Sequence, residues 1–228
     1  MLTLALETST ATFAAALATD DATDDATEHA ADVLASRALV GVPPARRDLP
    51  GLVGGLLADA GRSFADVTRI AVDVGPGNLT AVRTGVAYGN GLAFALRAGV
   101  ATANSLELMA AQAGPAVPVL CLRNAGAGRA YAGWFAAGAA TYRHGPLAEV
   151  LRLVSRPEVV LAGDFRGEAA DLLPGMLPGV LVKDSGIAGP DVRVLRWVTA
   201  GRPTVDPTRE RAATPLTEQS PLFGGTDD

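Results

Sequence analysis

The sequence predicts an α/β fold in two lobes. Short apolar strands alternate with helical segments, in the order β-β-β-α-β-α from residue 2 to about residue 96. After Pro115 the pattern restarts with a second set of strands and helices. The composition agrees: 228 residues, 49% hydrophobic and 19% charged, describe a globular chain that can bury a full core. Aromatic residues make up only 5%, so Ala, Val and Leu must fill that core.

Each element has a local cause. "LTLALETS" and "TFAAALAT" read as a β-hairpin with a Thr/Ser-rich corner. The acidic run "DDATDDATEHAAD" that follows reads as a solvated loop, since like charges without glycine turns repel and extend. "DVLASRALVG" holds a third strand. A helix starts at Asp48 as N-cap, with Pro50 in its first turn, and stops at Gly61. Its apolar face is Leu52, Val53, Leu56 and Leu57. "VTRIAVDVGPG" is a strand entering a glycine turn, and the next helix runs to Gly99. Beyond Pro115, "PVLCLRN", "AYAGWFAAG", "EVVLAGD" and "GVLVKDSG" read as strands and "PLAEVLRLV" as a helix. "DVRVLRWVTAG" is a final helix with Val192, Leu195 and Val198 on one face. Lobe boundaries are expected at 1–104 plus about 190–215 for the first and 105–189 for the second, with 216–228 as a tail.

Several chemistries lack the residues they need. The formal charge of −5 gives no overall attraction to phosphate backbones, so the chain alone is a poor RNA or DNA binder. Cys121 is the single cysteine, in an apolar run, and reads as a buried small residue. His29 and His144 are isolated, and neither a zinc motif nor "GxSxG" is present, so no metal ligands and no catalytic residues are assigned. The N-terminus lacks a basic leader pattern and no apolar run reaches membrane-span length; a cytoplasmic protein away from membranes is expected.

Two turns at strand ends could present backbone N–H groups to a phosphate: Glu7, Thr8, Ser9 and Thr10, and Gly75, Gly77 and Asn78. On pattern alone, a "GPG" is more often just a turn, and "TST" is often a plain hairpin corner. Glu7, a carboxylate at the end of an apolar strand, is either a ligand or base or a hydrogen-bonded strand-end residue. An independent phosphotransferase would also need a strand-end aspartate in the second lobe, and Asp164 is the best available.

The second helix carries Ala81, Gly85, Gly89 and Ala93 at i, i+4, i+8 and i+12, one stripe of minimal side chains. Each helical glycine costs about 1 kcal/mol relative to alanine, so the stripe requires close packing against something. Pattern alone leaves two readings, packing inside the chain and packing against another chain.

These residues carry a resemblance. "LTLALETSTATFAAAL" and "VGPGNLTAVRTGVAYGNGLAFAL…VATANSLELMA" resemble the TsaB family, whose members read "GPGSFTGLRIGVATAKGLAF" before a "SLEALA"-like helix. The likeness is continuous from Met1 to about Ala110; later, "AGRAYAGWF" and "VLAGD" resemble family segments. The chain departs from the family pattern at Arg46–Asp48 and at Asn124–Arg129. The resemblance implies an actin-like, sugar-kinase-like (ASKHA) bilobed fold with mixed sheets, in a superfamily also labelled peptidase M22. It implies a non-catalytic partner of TsaD, joined by TsaE, in the complex that forms N6-threonylcarbamoyladenosine beside the anticodon of ANN-decoding tRNAs. It further implies contact with tRNA only through the complex, a homodimer when TsaD is absent, and no required cofactor, with a nucleotide as the one candidate ligand. Carried over, the pairing helices are Asp48–Ala60 and Thr80–Leu96. Their expected interface residues are Leu52, Val53, Leu56, Leu57, Ala81, Val82, Gly85, Val86, Gly89 and Ala93. On that reading Gly85→Leu leaves the fold intact and abolishes pairing.

Overall fold

The computed structural model describes residues 1–19, 33–114, 116–208 and 212–224. The acidic run at 20–32, with His29, lies outside the described residues. The chain divides into two compact units, Met1–Asn104 with Asp191–Pro215, and Ser105–Pro190 with Leu216–Asp228.

The first unit is built on β1 (Leu2–Glu7), β2 (Ala14–Thr19), β3 (Val33–Ala38), β4 (Val67–Asp73) and β5 (Gly99–Ala103). They form one mixed sheet in the order β3-β2-β1-β4-β5. β1 pairs antiparallel with β2 and parallel with β4. Residues 2–7 are all buried, which is why this central strand is apolar at successive positions and not only at alternate ones.

Helices α1 (Leu49–Asp59) and α2 (Leu79–Leu96) share one face of this sheet. Register shows it. Leu6 pairs with Ala15, and Ala15 with Arg37. Leu6 lies against Gly89 of α2, and Arg37 against Gly55 of α1. The opposite face carries α6 (Val192–Thr199). There Arg69, paired with Thr3, donates from Nη2 to the Thr199 carbonyl. Asp48 caps α1 as expected, accepting from Gly51 N at 2.9 Å. α2 ends earlier than its glycine suggested, with Arg97 in the left-handed region at φ 53°.

The second unit contains α3 (Ser105–Ala113), β6 (Val119–Gly126), β7 (Arg129–Ala136), β8 (Ala139–Pro146) and the single turn α4 (Leu147–Val150). It continues with β9 (Glu158–Gly163), α5 (Arg166–Met176) and β10 (Leu181–Asp184). Its sheet order, β10-β9-β6-β7-β8, repeats the scheme of the first: an antiparallel meander whose first strand pairs with a parallel strand, which in turn pairs with a second. Strand β6 divides its side chains between two cores by simple alternation. Leu120 and Leu122 join Trp134, Val159 and Leu161, whereas Val119 and Cys121 join Leu106, Met109 and Tyr131.

Three elements differ from the sequence expectation. β8 and α5 were not read as elements, and "PLAEVLRLV" holds only α4 and a 3₁₀ turn, Leu151–Leu153. The residues after Leu216, read as a tail, place Phe223 in the second unit's core, 5% exposed.

Candidate functional site

The polar turns at the ends of β1 and β4 meet, but they are occupied with each other. Glu7 is 2% exposed and its Oε1 accepts from Ser9 N at 2.6 Å, Ser9 Oγ at 2.7 Å and Thr10 N at 3.2 Å. Asp73, fully buried, accepts from Gly75 N at 2.9 Å. Asn78 N donates to the Ser9 carbonyl at 3.0 Å, and its side chain caps α2 by accepting from Ala81 N at 3.1 Å. Gly77 is required here, because a Cβ would collide with the Ser9 carbonyl oxygen.

A phosphate loop needs free, convergent N–H groups. In this pair of turns the amides of Ser9, Thr10, Gly75 and Asn78 donate to the chain's own oxygens, two of the acceptors being carboxylates. The structure brings together the two turns expected to face a phosphate, and there the amides of Ser9, Thr10, Gly75 and Asn78 serve to lock β1 to β4 and start α2. Thr8 turns the other way, its buried hydroxyl without a hydrogen-bond partner and set against Gly85.

The glycine stripe is corrected. Leu52, Val53, Leu56, Leu57, Ala81, Val82, Gly85, Val86, Gly89 and Ala93 are all buried in the unit's own interior. A Cβ at Gly85 would lie 2.9 Å from Thr8 Cγ2, and one at Gly89 2.8 Å from Val72 Cγ2 and 3.4 Å from Leu6 Cδ1. The bare backbone lets α2 sit close on the β1–β4 pair. Close packing on its own sheet, not on a companion chain, is what offsets the propensity cost of these glycines.

Seating α2 so deeply fixes what it presents outward. Thr80, Thr84, Ala87, Gly91 and Phe94 are exposed at i, i+4, i+7, i+11 and i+14, with Phe94 62% exposed. Gly91 has nothing within 4 Å of a Cβ position. On α1, Pro50, Gly51 and Ala58 are exposed and Gly54 also faces open space. In the sequence the signal for this exposed stripe is Gly91 with Phe94 three residues on, outweighed by the more glycine-rich buried stripe beside it.

In the second unit, Asp164 follows β9 and is held by Arg123 Nη1 at 3.1 Å and Asn124 N at 2.8 Å. It ties β9 to β6 and is spoken for as a base. Burial pushes the Cys121 thiol far up, so it stays protonated. His144 stacks on Tyr131 with ring centroids 4.8 Å apart, and burial together with Arg129 lowers its pKa. Among the described residues no three His, Cys, Asp or Glu side chains cluster as metal ligands would.

Comparison with known proteins agrees with this architecture. Residues 45–149, from the approach to α1 through β8, match the family described as "TsaD: tRNA N6-adenosine threonylcarbamoyltransferase". Two solved structures from Pseudomonas aeruginosa share the fold. "YeaZ" is 24% identical over 95% of this chain and 99% of its own, with a TM-score of 0.68. "An uncharacterized protein with similarity to peptidase YEAZ" is 23% identical over 95% of this chain and 98% of its own, with a TM-score of 0.69. The expected α/β fold of two mixed five-stranded sheets flanked by helices is the one observed, and these two structures share it. No curated protein matches the chain. No described helix is long and apolar enough to cross a membrane.

Proposed function

We propose that this chain is the TsaB-type, non-catalytic partner of TsaD in the complex that makes N6-threonylcarbamoyladenosine in tRNA. The observation that carries the reading is the family match at 45–149, which spans α1, the glycine turn, α2 and α3. The strand-end turns are compatible with it: the amides of Ser9, Thr10, Gly75 and Asn78 donate to the chain's own oxygens. The pairing surface proposed is the outward face of α2, with Ala87, Gly91 and Phe94 at its middle, beside the exposed small residues of α1. Small residues flanking one exposed aromatic ring permit close helix-to-helix approach with a single anchor. In the absence of TsaD the same face would pair with a second copy. TsaE and tRNA then join through the complex, the tRNA unassisted by this chain's net charge of −5.

The test is co-purification with the TsaD of the same organism, together with calorimetry of the lone chain against ATP. A stable complex and no heat of nucleotide binding are expected. Failure to form the complex at micromolar concentration overturns the partner role, and nucleotide turnover by the isolated chain would favour the phosphotransferase alternative.

A further inference from the structure

The last described residues of the second unit lie over the β7–β8 face and are bonded mainly to themselves. Ser220 N donates to the Thr217 carbonyl at 3.0 Å, Phe223 N to Ser220 O at 3.0 Å and Gly224 N to Pro221 O at 3.2 Å. Thr217 N donates to Ser220 Oγ at 2.9 Å. Strand β7 beneath is paired along its length with both β6 and β8.

Side chains join the segment to the sheet. Phe223 packs against Tyr131, with centroids 4.9 Å apart, and edge-on against Tyr142 at 6.4 Å. The Tyr131 hydroxyl donates to Glu218 Oε2 at 3.2 Å. Glu218, Gln219 and Pro221 are exposed; Phe223 is buried, and half-buried Leu222 also packs against the core. A segment whose backbone bonds are local, and whose attachment rests on few side chains, opens at lower free energy than the sheet below it.

We infer that Thr217–Gly224 is a strap that opens and closes on the aromatic face of β7 and β8 without unfolding the sheet. Phe223 is its plug and the Tyr131–Glu218 hydrogen bond its latch. Opening uncovers the rings of Tyr131 and Tyr142 on which Phe223 sits, the latter meeting Phe135 edge-on at 5.7 Å.

Hydrogen exchange on the full chain tests this with two variants, Glu218→Ala and Phe223→Ala. The strap amides of Ser220, Phe223 and Gly224 should exchange faster than the ladder amides of Leu120 and Ala132 in the unaltered chain. Glu218→Ala should speed strap exchange about tenfold and Phe223→Ala by about a hundredfold or more, with the ladder amides unchanged. Strap and ladder accelerating together, a Phe223→Ala chain that fails to fold, or strap rates indifferent to Glu218→Ala would each overturn the strap.

Discussion

Gly85 shows how one missing methyl group decides the reading. Its Cα sits where a side chain would strike Thr8, so Gly85→Leu should destabilise the first unit by about 3 kcal/mol or prevent folding. Urea unfolding checks this; a Gly85→Leu chain of undiminished stability would return the stripe to the surface. Cys121, fully buried with its thiol pushed up, should resist alkylation in the native state and react only on unfolding. His144 carries the pH argument. Burial first, and then Arg129, lower its pKa below the ordinary 6.5, with Glu218 opposing. The unfolded chain therefore takes up this proton at higher pH than the folded one. Stability should fall as pH drops from 6.5 toward the lowered value and be regained above 6.5. Unfolding midpoints between pH 5.5 and 7.5 check the sign, and His144→Gln should flatten that slope.

At the scale of elements, legibility followed the strength of local signals. Asp48, Pro50 and the apolar periodicity marked α1, and the buried double-faced runs marked β1, β4 and β6. β8 escaped because "AATYRHGP" is exposed over much of its length and lacks a buried alternating face. α5 escaped because Gly167, Pro174 and Gly175 argue against a helix that tertiary packing of Ala169 and Leu173 nevertheless holds. The stripe on α2 was visible in sequence, but its direction was not: periodicity identifies faces without saying which one meets the sheet. Only the strand register, with Leu6 and Val72 beneath Gly89, determines that. The capping bond gives a test at this scale. Asp48→Ala removes the acceptor for Gly51 N and should cost about 1 kcal/mol, read from thermal or urea unfolding.

For the whole molecule, two units share one sheet scheme, and residues 45–149 match a single family. The loops that in a phosphate-binding arrangement would leave donors free are here consumed in joining strands. Among the described residues, α2 offers a continuous small-residue face with an aromatic anchor. A substitution at Gly91 separates fold from assembly, because arginine there meets open space and is a better helix former by roughly 1 kcal/mol.

Sedimentation velocity of equimolar mixtures with TsaD, comparing the unaltered chain with Gly91→Arg, tests the pairing face most directly. The account predicts a heterodimer for the unaltered chain, and two separate species for Gly91→Arg despite undiminished thermal stability. A Gly91→Arg chain that assembles as well as the original, or an original that never assembles, would contradict it.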